Sequence, residues 1–110
     1  MNRLPMSPAA TALLRAFLDR GSLTRDRILL THYRSVDWQS LTFIGERHEF
    51  GFRLVGPDAD AIYARLTDDL AEAEFAIPRQ VVAEIVVPSE PVRGSDGSLS
   101  FEVEALTVRD

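Results

Sequence analysis

Trp38-Gln-Ser-Leu-Thr-Phe-Ile-Gly-Glu-Arg-His-Glu-Phe-Gly-Phe-Arg-Leu-Val55 is the stretch whose reading decides the fold. Strand-forming residues stand on both sides of the compact polar break Gly45-Glu46-Arg47-His48, and the run feeds a helix start at Gly56-Pro57-Asp58. The pattern predicts a β-hairpin with Leu41–Ile44 as its first arm and Glu49–Val55 as its second, leading to a covering helix. In the second arm Phe50, Phe52 and Leu54 alternate with Gly51 and Arg53, giving one apolar and one polar face. Gly51 removes a side chain from the polar face, so another backbone or side chain is expected to pack there.

Outward from this hairpin, Ser7-Pro8 is a helix start with a mechanism. The serine hydroxyl accepts from a free amide, and proline at the first helical position has no amide to leave unpaired. Ala10, Leu13, Leu14, Phe17 and Leu18 recur at helical spacing up to about Arg20, with Gly21 where a left-handed cap would fall. Arg27–Val36 predicts a strand with both faces partly covered. Pro57 to about Glu74 predicts a second helix on the stripe Ala59, Ile62, Tyr63, Leu66, Leu70 and Ala73. Its acidic far face reads as solvated, and acids in its last turn oppose the helix dipole and predict fraying there.

Gln80–Val87 reads as a strand with Val81, Ala83, Ile85 and Val87 on one face. Asp96-Gly97 signals a tight turn before the clean alternation of Leu99, Phe101, Val103 and Ala105. The expectation is one α+β domain over residues 1–110. It has two layers, a mainly antiparallel sheet of about five strands covered by two helices, in the order α-β-β-β-α-β-β. Leu99–Val108 and Arg27–Val36 are the candidate sheet edges.

Composition narrows the function classes. The chain has 110 residues, no cysteine and a formal net charge of −5, which rules out disulfides, thiolate nucleophiles and cysteine-bound metal. No apolar run approaches the roughly 18 residues of a membrane span, and the N-terminus lacks the pattern of a secretory leader, so a cytoplasmic protein with no membrane partner is expected. Every basic residue is arginine, a composition that fits the coding bias of a GC-rich genome. Residues 1–55 carry eight arginines and five acids, whereas residues 56–110 carry four and twelve. Arg20, Arg25, Arg27 and Arg34 near Tyr33 are too few against this acidity to track phosphates, so no nucleic-acid partner is expected.

Chemistry-bearing residues concentrate at Glu46, Arg47 and His48. A histidine beside carboxylates is the composition of a general base, and arginine that of an anion holder. Alternation along a strand puts Glu46 and His48 on one face and Arg47 and Glu49 on the other. His32 would join His48 if their strands pair, and with Glu46 or Glu84 could complete a facial metal triad. No His-Glu-x-x-His, Gly-x-Ser-x-Gly or phosphate-cradling loop is present, so no catalytic residue, metal or cofactor is assigned. The candidate binding residues are Arg47, His48, Glu46, His32 and Trp38, the last as a possible partner contact.

Trp-x-Ser-x-Thr-Phe-x-Gly-x-Arg-His, from Trp38 to His48, with Ala-Glu-Phe-Ala-Ile-Pro from Ala73 to Pro78, resembles segments of small uncharacterised bacterial proteins. The resemblance implies a bacterial source and no activity. The preferred expectation is a non-catalytic protein-interaction or homodimerisation module that self-associates through a sheet edge or face. The alternative is a small-ligand-binding protein or enzyme with a polar site around Arg47 and His48.

Overall fold

A computed structural model describes Met6–Asp110, so the part of the leader reading that falls on residues 1–5 lies outside the described residues. Two helices, α1 (Pro8–Asp19) and α2 (Ala59–Thr67), and five strands, β1 (Ile28–Gln39), β2 (Ile44–Leu54), β3 (Gln80–Val86), β4 (Val92–Arg93) and β5 (Leu99–Arg109), make the predicted two-layer α+β fold. All strand pairs are antiparallel. The order across the sheet is β1-β2-β5-β3, with β4 beside the other end of β5.

Local chemistry starts α1 as expected: Ser7 Oγ accepts from the Ala10 amide at 3.1 Å, and Pro8 follows. Gly21 has no left-handed cap role. Ser22 takes the positive φ, and a Cβ on Gly21 would press on Leu23 and Leu66, so the glycine allows close packing of loop on helix. α2 is shorter than the periodicity suggests. Asp68 is already extended and Asp69 is left-handed, and Leu70–Glu72 forms only a short 3-10 turn. Arg20 Nε donates to the Leu66 carbonyl and Arg65 Nε to the Gly21 carbonyl, both at 3.0 Å, so the two helix ends are tied by reciprocal arginines.

The hairpin differs from the expected one. The polar run Gly45–His48 is no turn but the first part of β2, and the chain reverses at Ser40–Phe43, where Ser40 Oγ accepts from the Thr42 and Phe43 amides. Side-chain acceptance of this kind stabilises a turn locally. β5 is no edge either. It lies between β2 on one side and β3 and β4 on the other, whereas β1 is an edge.

The core lies between sheet and helices. Phe50, Phe52, Leu54, Leu99, Phe101, Val103 and Ala105 are buried against Leu13, Phe17, Ile62 and Leu66. Aromatic rings run across the sheet: Tyr33 on Phe50, Phe50 on Phe52 and Phe52 on Phe101, with centroids 5.6, 6.1 and 5.3 Å apart. Phe17 of α1 stacks on Phe52 from above. Such pairs add about 0.5–1.5 kcal/mol each beyond the area they bury. A bulge between Val82 and Glu84 breaks the alternation of β3, so that Val82 packs on the core with Ile85 while Val81 and Val86 are exposed.

Candidate functional site

β2 projects Glu46 and His48 towards the helix layer, and the register sets Asp37 of β1 opposite Glu46 and Ser35 opposite His48. His48 is fully buried. Its Nδ1 lies 2.6 Å from Ser35 Oγ and its Nε2 2.8 Å from Thr107 Oγ1 of β5. A neutral imidazole carries one N–H and one bare nitrogen, and a hydroxyl both donates and accepts, so the three groups satisfy one another. Burial pushes the His48 pKa down, with the Glu46 carboxylate at 3.9 Å from Nδ1 opposing it. The imidazole is therefore neutral at pH 7.

The chain of contacts continues outward. The Tyr33 hydroxyl donates to Ser35 Oγ at 2.7 Å, and Ser7 at the head of α1 donates to Glu46 Oε1 at 2.6 Å. These groups edge a groove of about 740 Å³ that follows β1 and includes Met6, Leu30, Tyr33, Ser35, Asp37 and Glu46 in its walls. A volume of that size is within the usual range for small-molecule sites, about 300–1,000 Å³. His48 stands behind the groove wall and reaches it only through Ser35.

The candidate residues divide between the two faces of the sheet. Glu46 and His48 come together as their shared parity requires. Arg47 lies on the outer face, where its guanidinium is 3.7 Å from Glu84. His32 is also there, with its ring over Gly51 and Nε2 3.7 Å from Glu102, so the expected packing against that glycine is made by the histidine. Trp38 is half-buried opposite Gly45. His32 and His48 thus do not share a face, and among the described residues no group of three His, Asp or Glu is placed to hold a metal ion.

The two partners of the buried imidazole, Ser35 and Thr107, and Tyr33 behind Ser35, carry no sequence motif. Ser35 and Thr107 come from opposite sides of β2 and meet His48 only through strand register. The alternation of β1 could have flagged Tyr33 and Ser35 as co-facial, but only the pairing shows that His48 is their neighbour.

Comparison of the chain with protein-family models, with curated proteins and with solved structures returns no match. Among the described residues no helix is long and apolar enough to cross a membrane.

Proposed function

We propose that the chain is a non-catalytic self-association module whose working surface is the open edge of β1. The observation that carries this reading is the edge itself. β1 is 12 residues long, contains no proline or lysine and only Arg34 and Asp37 as fixed charges, pairs among the described residues with β2 alone, and exposes Leu29, Leu30 and Val36. Unpaired backbone amides and carbonyls on such a strand are a template for another strand, and edges not meant for pairing are blunted by charge, proline or brevity. The hairpin turn that continues β1 adds Leu41 and Phe43, and the start of β2 adds Ile44, each at least half exposed. A symmetric dimer is the commonest assembly that satisfies both surfaces at once. Light scattering on a size-exclusion column over a concentration series tests it: a dimer is expected, and a strict monomer at the highest concentration sinks the reading.

A second reading, a small-ligand site around Glu46, has the groove in its favour. It draws on Ser7, Ser35 and Glu46 rather than on Arg47, which faces elsewhere. A fragment screen read by amide shifts tests it, and perturbation confined to residues outside Leu30–Asp37 and Glu46 removes it.

A further inference from the structure

The β1 edge carries enough detail to fix how a second copy would lie on it, and this step rests on the self-association reading above. Two identical strands that pair antiparallel in one sheet are related by a twofold axis normal to the sheet, and the axis passes midway between the two copies of one residue. Facing residues must share a sheet face, because a one-residue slip turns every side chain over. Beyond the irregularity between Leu30 and His32, Tyr33, Ser35 and Asp37 point to the helix side and Arg34, Val36 and Trp38 to the outer side.

β1 ends at Gln39, so a centre at Trp38 leaves only Asp37–Gln39 of the strand to pair and one at Gln39 leaves less; the centres from Tyr33 to Asp37 can be weighed by the pairs they make. A centre at Arg34 or Asp37 sets like charges directly opposite, which is destabilising. A centre at Tyr33 drives the pairing through the bulge, where the ladder is already broken. A centre at Ser35 sets the Arg34 guanidinium against Val36 and leaves Val36 no apolar neighbour. A centre at Val36 sets Val36 against Val36, Arg34 against the Trp38 ring, Ser35 against Asp37 and Tyr33 against Gln39. Every one of those pairs is favourable or neutral: apolar on apolar, cation on indole, hydroxyl to carboxylate, phenol to amide.

The same centre has a consequence at the ends. It runs the Ser40–Phe43 turn of one copy alongside residues 29–32 of the other. The exposed Leu41 at the tip of that turn therefore falls near the exposed Leu30 of the second copy, while Phe43, whose carbonyl accepts from the Ser40 amide, lies on the β2 side of the turn.

We propose that two copies join edge to edge along Tyr33–Gln39 of β1, antiparallel, about a twofold axis through Val36. The two sheets become one, both helix layers lie on the same side of it, and the strand of each copy takes up the part of the groove that runs beside Tyr33–Asp37 of the other.

The absence of cysteine from the chain makes the test direct. In Val36→Cys the two thiols face each other across the axis, at the roughly 4.5–5.5 Å between Cβ atoms of opposed residues, close enough for a disulfide after small adjustment. Oxidation with diamide is expected to convert most of the dimer to a covalent one, and a short bis-maleimide to do the same. Arg34→Cys and Trp38→Cys are each expected to cross-link poorly alone and efficiently when mixed. Light scattering on the same samples separates the failures. A monomer overturns both this geometry and the self-association reading. A dimer in which Val36→Cys does not cross-link, or in which the mixed pair does no better than either variant alone, overturns the geometry and leaves self-association standing.

Discussion

Replacing His48 by leucine and Thr107 by valine, singly and together, puts the buried hydroxyl–imidazole–hydroxyl chain to a quantitative test. Both side chains are fully buried, and the 2.8 Å contact between Nε2 and Thr107 Oγ1 is the hydroxyl's one side-chain hydrogen bond among the described residues. Leucine at 48 refills most of the space but strands that hydroxyl, and an unsatisfied buried polar group costs about 1–3 kcal/mol. Valine at 107 leaves a ring nitrogen facing a methyl group, with a cost of the same order. Ser35 is cushioned in either case, since it keeps the Tyr33 hydroxyl. The double variant removes both partners, and replacing a polar pair by apolar groups of like shape is close to neutral. Its loss is therefore expected to fall short of the sum of the single losses by about 1 kcal/mol or more. Urea titrations followed by the single tryptophan would read this as a midpoint restored in the double variant, and strictly additive losses would refute the account. A pH series adds a signature. Because the folded pKa of His48 is lowered from 6.5, protons bind the unfolded chain first as the pH falls, so this group's stabilisation is complete above 6.5 and is lost on the way down through the folded value. That loss, at most about 1.4 kcal/mol per pH unit for one proton, is expected to vanish in His48→Leu.

Two glycines of β2 give opposite expectations for one substitution. A Cβ at Gly45 would overlap the Thr107 carbonyl of the neighbouring strand, which cannot turn aside, so Gly45→Ala is expected to cost about 1–3 kcal/mol or more in urea unfolding. A Cβ at Gly51 meets the His32 ring and Thr31 Oγ1, both free to move. Gly51→Ala exchanges an exposed contact of the His32 ring with Glu102 for better strand propensity and is expected to stay within about 1 kcal/mol of the parent. Asp96 accepts from the Ser98 amide, the Ser98 hydroxyl and Arg53, which together hold its carboxyl well below the usual carboxylate range. The ionised form belongs to the folded turn, so its contribution is present above 3.8 and is lost as the pH falls further. Asp96→Asn is expected to flatten that limb of an acid titration, and an unchanged limb would count against the assignment.

The parts of the fold that were legible in the sequence are those where one face is dry. Phe50, Phe52 and Leu54, and Leu99 through Ala105, alternate because one side of the sheet meets the helices, and Ser7-Pro8 announces α1 by backbone chemistry alone. The hairpin misled because Gly45–His48 is polar, and polarity is read as a turn. Those residues stay in the strand because Glu46 finds Ser7 from 39 residues away and His48 finds Thr107 from 59 away, which no local pattern displays. The real turn was visible in principle as a serine able to accept from amides two and three residues on. The bulge in β3 hid the facing of Val82, since alternation is reliable only within an unbroken ladder. Of the candidate site, the pairing of Glu46 with His48 followed from parity. The exclusion of Arg47 and His32 needed the sheet order and the register.

Assembly through the β1 edge makes one more demand on the molecule. Val36 is 42 % exposed on the outer face of β1, so its side chain contributes little to the fold of one copy. Lysine there is the device by which natural sheet edges refuse partners, because a second strand would have to desolvate the ammonium. In a twofold pairing centred on this residue two ammonium groups would also stand directly opposite each other, a repulsion that a site off the axis would not create. Val36→Lys is accordingly expected to leave urea unfolding of the separated chain within about 0.5 kcal/mol of the parent, the range for surface changes, while shifting light scattering to the monomer at concentrations where the parent is dimeric. Lysine at Val81, equally exposed but on β3, sets the comparison: it adds the same charge to the same sheet and should leave the dimer intact. If both lysines dissociate the dimer equally, net charge rather than the β1 edge governs assembly. If neither does, the copies meet elsewhere.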